Sequence, residues 1–484
     1  MRCVRQRRGD WLPGTEKRQH DWEEGTVEFT LDSAQWAKEQ FGDCLLGDKR
    51  RTRRAVAYAK QVVENPSGST PEQTEDWNDC KAAYRLFGQQ DVTFEALARP
   101  HWQRTRNCPA GEYLLLGDTT ELDYGKYRQV KGLGPTGNGG GQGFLLHSAL
   151  MVAAQSEAIV GLAGQEIFLR RPRPRNESRY DRSQRSKESD VWGRVIDEIA
   201  CPPESVTWTH VLDRGADNFE VYCHLLQNQC AWVVRARHLN RLVQIAEKTQ
   251  VPLFEHLATL PIAGTYELKL RACQKSPART ARLAVRMGQV GLPQPKLRSP
   301  YVRRCGIGTI TMDVVEVREI NPPRGVAALH WVLYTSHRMT LFKDAWRIIE
   351  YYEKRWLIEE FHKALKTGCR AEERQYAVGK RLAALAGLLS VVAVRLLQLK
   401  AVARDQPDCP AQRVIPRLWL RALQILRKRS LPHCTVRQFY RHLAALGGFL
   451  GRKNDGEPGW IVLWRGFDKL ALASKVLENA QKYG

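Results

Sequence analysis

Residues 28–108 carry hydrophobic positions at the period of an α-helix. Ala55, Ala59 and Val62 recur three or four positions apart, so a helix would place them on one buried face. The run 65–69 contains proline, glycine and serine and separates this helix from the next. The pattern predicts a helical N-terminal domain.

A different pattern begins near residue 109, where short apolar runs are bounded by turn residues. Such runs predict buried strands, and their alternation with helical segments is typical of α/β proteins. Segments 144–154 and 158–169 predict a hairpin that follows a glycine-rich loop at 132–143. Four further strand-like runs follow one another in the middle of the chain: 265–272, 281–290, 309–317 and 329–335.

These patterns divide the chain into five predicted regions. An apolar helix over 382–399 follows the strands, and the last hundred residues again favour helices. The predicted regions are a polar, disordered arm at 1–27, the helical domain at 28–108, an α/β core at 109–240 and 339–400, a β insertion at 241–338 and a helical C-terminal domain at 401–484.

The net charge of the chain indicates which class of partner it binds. Its 75 lysines and arginines exceed its 52 aspartates and glutamates, a formal net charge of +23 that favours a polyanion such as nucleic acid. A generally basic soluble protein and one that docks on anionic membranes remain open on charge alone. A membrane span needs about 20 apolar residues, and the longest run, 382–394, has 13.

Neither a secretory signal nor a cysteine framework is indicated. The N-terminal arginines are followed by polar residues rather than by an apolar segment. The 12 cysteines are scattered, without Cys-x2-Cys pairs, so we expect reduced and mostly buried thiols. We therefore expect a cytoplasmic, nucleoid-associated protein.

The segment 352–366 is chemically the most informative. Tyr352, Arg355, Glu359 and Lys366 lie three, four and seven positions apart, so one helix would align them on a single face. A carboxylate flanked by cations suits a site that holds a metal ion beside phosphate. Taken alone, the same stripe is also typical of a solvated helix face with ion pairs.

Two aspartates each follow an apolar run. Asp118 comes after 113–117, and Asp213 comes after 206–212, so both are predicted at the carboxyl ends of buried strands. Ligand sites of α/β sheets collect at those ends. A single aspartate there is more often a turn former or a helix cap.

Together these pieces resemble the bacterial cut-and-paste DDE transposases of the retroviral-integrase superfamily, in the insertion-sequence group that carries a Y-x2-R-x3-E-x6-K signature. The resemblance rests on Gly117-Asp118-Thr119-Thr120, on 212–217 around Asp213, and on the signature at Tyr352, Arg355, Glu359 and Lys366. It extends from about residue 28 to the C-terminus. It implies an RNase H-like catalytic core interrupted by the β insertion, with helical domains on either side.

The resemblance also implies roles for the matching residues. Asp118, Asp213 and Glu359 would bind two Mg²⁺ ions, which Mn²⁺ could replace. Tyr352, Arg355 and Lys366 would contact DNA phosphates. Trp331 matches the place of an aromatic that stacks on an extruded base in hairpin-forming relatives, although a tryptophan in an apolar strand more often belongs to a core. A DNA-bound homodimer is expected, with the C-terminal domain pairing the protomers.

Two basic clusters are candidate DNA contacts. Five cations stand where a helix begins, and this opposes the helix dipole unless phosphate neutralises the charge. These are Lys49, Arg50, Arg51, Arg53 and Arg54. The arginine-rich loop 170–187 could also contact DNA, or it could be a solvated loop.

The sequence thus predicts a transposase that binds the ends of its element, cleaves them with Mg²⁺ and joins them to target double-stranded DNA. Two alternatives keep the same residues. A metal-dependent nuclease would share the carboxylates but would lack strand transfer, and a transposase-derived DNA-binding protein would lack catalysis.

Overall fold

A computed structural model of the chain describes residues 32–483, apart from 127, 138–139, 171–173, 175, 248, 271–277, 406, 414 and 453–454. The predicted arm at 1–27 lies outside these residues. The described part is mixed α/β, with a large mixed sheet between helical terminal regions.

The helices of the described part are α1 (Ser33–Phe41), α2 (Lys49–Glu64), α3 (Thr70–Gln73), α4 (Trp77–Leu86), α5 (Phe94–Arg106), α6 (Arg179–Gln184), α7 (Val191–Ile199), α8 (Phe219–Gln227), α9 (Leu253–Thr259), α10 (Pro300–Cys305), α11 (Phe342–Lys354), α12 (Trp356–Lys363), α13 (Gly379–Asp405), α14 (Arg417–Arg427), α15 (Val436–Leu446) and α16 (Trp460–Tyr483). The strands are β1 (Gly111–Asp123), β2 (Gly134–Thr136), β3 (Gly141–Ala153), β4 (Ile159–Phe168), β5 (Val206–Leu212), β6 (Ala231–Arg235), β7 (Leu242–Ala246), β8 (Thr249–Pro252), β9 (Ile262–Leu270), β10 (Arg279–Pro293), β11 (Thr309–Glu319) and β12 (His330–Thr335).

The chain forms two compact units. Among the described residues, the first unit comprises 109–117 and 174–355, and the second comprises the helices before 108, then 118–173 and 356 onward. The unit boundaries fall inside β1 and between α11 and α12.

The sheet of the first unit joins parallel and antiparallel strands. The first half of β1 pairs in parallel with β5, which pairs in parallel with β6. From β6 onward the neighbours β12, β11, β10, β7 and β8 are all antiparallel, and β9 also pairs with β10. The four predicted strands of 241–338 are confirmed as β9, β10, β11 and β12.

Helices and a β-hairpin make up the second unit. The predicted hairpin is confirmed as the antiparallel pair β3 and β4, while the glycine-rich stretch before it is not all loop because it contains β2. The α5 and α13 helices pack against β4. Among the described residues α13 is the one helix long and apolar enough to cross a membrane, with a hydropathy of 2.1, but 89% of its apolar window is buried inside the protein.

One buried arginine joins two parts of the second unit. The Arg374 guanidinium, 4% exposed, donates to the carbonyl oxygens of Pro66 at 2.9 Å and of Cys369 at 2.8 Å. It also donates to the carbonyl of Gly68 and to Gln73 Oε1. Arg374 therefore fixes the loop between α2 and α3 to the segment that follows α12.

Candidate active site and DNA-binding surface

Asp118 lies within a strand, not after one. The prediction of a strand end is wrong here because Thr119, Thr120 and Leu122 are suited to β-structure and extend β1 to Asp123. The pairing of β1 with β5 nevertheless stops at Leu116, two residues earlier. The Asp118 side chain is half-buried, and its Oδ1 accepts the Thr119 backbone N–H at 2.8 Å.

The glycine before Asp118 is required by close packing. A Cβ at Gly117 would stand 2.6 Å from Leu212 Cδ2 and 3.0 Å from Trp192 Cζ3. The first contact is shorter than a real Cβ makes and the second is tight, so a side chain at this position would force the Leu212 and Trp192 side chains to move. Gly117 therefore fixes the path of the strand that leads into Asp118.

Asp213 lies where it was predicted, directly after β5. Its Oδ1 accepts the backbone N–H of Gly215 at 2.7 Å, which caps the short helix 214–216. The next acid, Asp217, is buried and binds Arg241 at 2.5 Å and the backbone N–H of Arg237 at 2.7 Å. The loop after β5 is thus held by hydrogen bonds to two aspartates, of which Asp217 is buried and Asp213 is half-buried.

The signature segment is not one continuous helix. The α11 helix carries Tyr352 and ends before Arg355, whose N–H binds the Tyr352 carbonyl at 3.1 Å. The α12 helix carries Glu359, and Lys366 lies in a π-helical turn at Ala364–Gly368. The predicted single α-helix is therefore wrong, because the segment comprises two α-helices and a π turn.

Tyr352 belongs to a cationic cluster in the first unit. Its side chain hydrogen-bonds Arg235, the last residue of β6, and the Arg355 guanidinium lies 6.0 Å from the centre of its ring. Arg235 is 5% exposed. Burial lowers the pKa of Arg235, and the nearby charges of Arg214 and Arg355 lower it further, whereas Tyr352 opposes the shift.

Sequence reasoning missed Arg235. The available signal was an arginine that ends an apolar strand, Trp232 to Val234, where a cation is costly unless it has partners. Arg214 and Arg355 place two further positive charges near Arg235 at this end of β6. Clustered arginines of this kind suit an anionic group of a substrate.

Glu359 and Lys366 differ in exposure. The Glu359 side chain is exposed on α12. Lys366 Nζ lies 3.1 Å from Glu372 Oε1, with 30% of the lysine side chain exposed. A phosphate at Lys366 would therefore share it with Glu372 or replace that carboxylate.

The predicted metal ligands Asp118, Asp213 and Glu359 are carboxylates that belong to two different units. Among the described residues, no group of three or more His, Cys, Asp or Glu side chains is gathered closely enough to hold a metal ion. Asp213 belongs to the first unit, whereas Asp118 and Glu359 belong to the second. Their oxygens fit Mg²⁺ in donor chemistry, since this hard cation prefers carboxylate oxygens.

The basic cluster of α2 falls into two sets. Lys49, Arg50 and Arg53 are exposed, but Arg51 lies 2.7 Å from Asp91 and Arg54 lies 2.7 Å from Asp79. Asp48 caps the helix by accepting the Arg50 backbone N–H, and its carboxylate also lies 3.2 Å from the exposed Arg50 guanidinium. The exposed set therefore has no ion pair with Asp79 or Asp91, the acids that hold Arg54 and Arg51.

Trp331 and the arginine-rich loop complete the predicted contacts. Trp331 is half-buried on β12, paired with Val317 of β11, so its ring is partly available. Of the loop, residues 171–173 and 175 lie outside the described part. The rest is not all loop, since α6 forms there and Arg185 pairs with Glu177.

Two protein-family models match the chain. The model described as "Transposase DNA-binding" matches residues 33–92, which are α1 to α4 and the turn after them. The model described as "Transposase Tn5 dimerisation domain" matches residues 391–484, from the middle of α13 to the C-terminus. The exposed cations of α2 therefore stand in a DNA-binding domain.

A DNA-binding domain at one end and a dimerisation domain at the other, both of transposase type, define the chain as a transposase. More particularly, it belongs to the Tn5-type transposases.

Proposed function

We propose that this transposase cuts DNA at the ends of an insertion sequence and joins those ends to target DNA. The observation that carries the proposal is the sequence of parts along the chain. Asp213 stands at the carboxyl end of a parallel strand, and the Tyr352, Arg355, Glu359 and Lys366 signature follows it. Domains for DNA binding and dimerisation stand on either side.

We assign the catalytic centre to an RNase H-like core formed by 109–240 and 339–400, interrupted by a β insertion at 241–338. Parallel pairing of β1, β5 and β6, with helices between the strands, supports this architecture. The boundaries of 28–108 and 401–484 for the terminal domains are part of the same proposal. The protein would act in the cytoplasm, at the nucleoid.

Asp118, Asp213 and Glu359 are the proposed metal ligands. Two Mg²⁺ ions, or Mn²⁺ in their place, would activate the attacking oxygen and stabilise the leaving oxygen of a phosphodiester. The Asp118 and Asp213 carboxylates each accept a backbone N–H, which helps to orient them. Carboxylates without cationic partners would repel DNA, so cations must accompany them.

Arg355 and Lys366 supply these positive charges, and they contact phosphates near the cleaved bond together with the Tyr352 hydroxyl. Arg235 hydrogen-bonds the Tyr352 side chain and adds its own positive charge. Positive groups held in place before the reaction stabilise the extra negative charge of the pentacovalent phosphorus. The α2 cations Lys49, Arg50 and Arg53 would bind backbone phosphates of the element end, with Arg51 and Arg54 shaping the helix that presents them.

The order of reactions follows the family resemblance. Water attacks first and frees a 3′ hydroxyl, which then attacks the opposite strand to give a hairpin end. The hairpin is reopened before the hydroxyl attacks target DNA. Trp331 would stack on a base extruded at the hairpin, and a homodimer would hold both ends in one synaptic complex.

Single substitutions of the three carboxylates test the ligand assignment. We expect Asp118→Ala, Asp213→Ala and Glu359→Ala each to abolish Mg²⁺-dependent cleavage of end DNA, while gel-shift binding of the same DNA persists. Cleavage that persists in any one variant would remove that residue from the ligand set. Cleavage without joined product, assayed with a supercoiled target, would favour a plain nuclease, and DNA binding without any cleavage by the unaltered protein would favour a silent DNA-binding descendant.

A further inference from the structure

Two adjacent glutamates on α12 have opposite surroundings. Glu359 is exposed, whereas Glu360 is 2% exposed. A buried carboxylate is stable only when cations and hydrogen-bond donors surround it. Glu360 must therefore be held by specific partners.

Each oxygen of Glu360 has its own lysine. Oε1 lies 3.2 Å from Lys363 Nζ, one turn further along α12, and Oε2 lies 2.5 Å from Lys400 Nζ on α13. The lysines differ in exposure, since 52% of the Lys363 side chain is exposed but only 23% of Lys400. Lys400 is therefore the better shielded partner, and it joins two different helices.

The Glu360–Lys400 contact ties one side of α12 to α13. Successive residues of an α-helix are about 100° apart, so anchoring Glu360 against α13 turns Glu359 away from it. The α12 helix has only eight residues and is bounded by the break at Arg355 and by the π turn. Apolar residues such as Phe361 also bury this face, but the ion pair distinguishes Glu360 from the chemically identical residue beside it.

We propose that Glu360 and Lys400 form a positioning pair that orients Glu359 toward the metal. The proposal rests on the proposed function of Glu359 as a metal ligand. Neither member of the pair would touch metal or DNA. They act by fixing the direction in which the neighbouring carboxylate points, as hydrogen-bonded supports do for ligands in many metal sites.

The test measures metal binding directly. Mn²⁺ is titrated into the full-length protein bound to uncleaved end DNA, and free Mn²⁺ is followed by electron paramagnetic resonance. We expect Glu360→Gln and Lys400→Met to weaken Mn²⁺ binding about tenfold and to raise the Mg²⁺ concentration that half-saturates cleavage by a similar factor. Lys400→Arg should restore both values toward those of the unaltered protein.

Matched controls separate positioning from loss of stability. Lys363→Gln removes the exposed partner within the same helix and should leave Mn²⁺ binding nearly unchanged. Val285→Ala trims a buried residue of β10 in the other unit, so it lowers thermal stability without reason to change metal affinity. If Glu360→Gln fails to fold, Lys400→Met decides the matter alone.

Distinct outcomes would overturn the two proposals. Unchanged Mn²⁺ affinity in Lys400→Met, or an equal loss in Val285→Ala at matched stability, would refute the positioning pair. Unchanged Mn²⁺ affinity in Glu359→Ala would instead refute the ligand assignment on which it rests.

Discussion

The basic helix α2 and the signature segment both concentrate charge, yet they distribute it differently. In α2, Arg51 and Arg54 are each paired with an aspartate from another part of the chain, whereas Arg50 is paired only with the neighbouring Asp48 and stays exposed with Lys49 and Arg53. In the signature segment, Tyr352 is supported by a buried arginine, and Glu359 is exposed beside a buried glutamate. Charge density along a helix therefore says little about which charges can meet a ligand.

The largest expected effect of a substitution is on the rate of end cleavage. Arg355→Ala removes a cation from the Tyr352 cluster and should reduce the rate of end cleavage about 100-fold, with end binding retained. Single-turnover cleavage of radiolabelled end DNA measures this rate. Lys354→Ala, the neighbour outside the signature, is the control, and an equal loss in both variants would contradict a specific role for Arg355.

End binding should depend on the exposed cations of α2. Replacing Lys49, Arg50 and Arg53 together by glutamine should lower affinity for end DNA at least about tenfold and reduce the slope of log affinity against log salt by roughly 2.7, for three lost phosphate contacts. Fluorescence anisotropy at several salt concentrations measures both. The double replacement of Arg51 and Arg54 by glutamine should leave most of the slope intact, and an equal fall in slope would remove the distinction between the two sets.

The ion-paired cations should matter for stability instead. Arg54→Gln breaks the pair with Asp79, which is about a third exposed, and should lower the free energy of unfolding by about 0.5–1 kcal/mol. Urea unfolding followed by circular dichroism measures the change. Arg53→Gln, on the exposed side of α2, should leave the unfolding midpoint where it was, and a fall as large as that of Arg54→Gln would contradict the comparison.

The smallest effect concerns pH. The Arg50 backbone N–H, and then its side chain, lower the pKa of Asp48 below 3.8. The stabilisation of α2 by this carboxylate is therefore fully present above pH 3.8 and is lost as pH falls through the pKa of the folded protein. Asp48→Asn retains a cap but should flatten this acid dependence, and carbon-13 NMR of the Asp48 carboxyl should show titration below pH 3.8. A midpoint above this value would contradict the assignment.

Local patterns predicted much of the fold because short apolar runs and helical periodicity depend on nearby residues. The strands β9 to β12 and the position of Asp213 were predicted in this way. Asp118 was misplaced because β-forming residues continue β1 beyond it. The break at Arg355 and the π turn could not be predicted, since both depend on packing between distant segments.

The same limit applies to the candidate site. Tyr352, Arg355, Glu359 and Lys366 were identified from their spacing, but the partners that decide their availability were not. Arg235 lies 117 positions from Tyr352 (352 minus 235), and Lys400 lies 41 positions from Glu359 (400 minus 359). Glu372 is only 6 positions from Lys366 (372 minus 366). A single sequence contains no signal that joins positions so far apart as Lys400 and Glu360.

Arg374 has a consequence for engineering this transposase. Its guanidinium donates hydrogen bonds to carbonyl oxygens of the loop between α2 and α3. Removing the N-terminal helices would therefore leave a buried charged group without these acceptors. We therefore expect a chimera that exchanges end specificity to require the recipient's own 65–73 loop, and a version trimmed of its first hundred residues to aggregate rather than act as an independent nuclease.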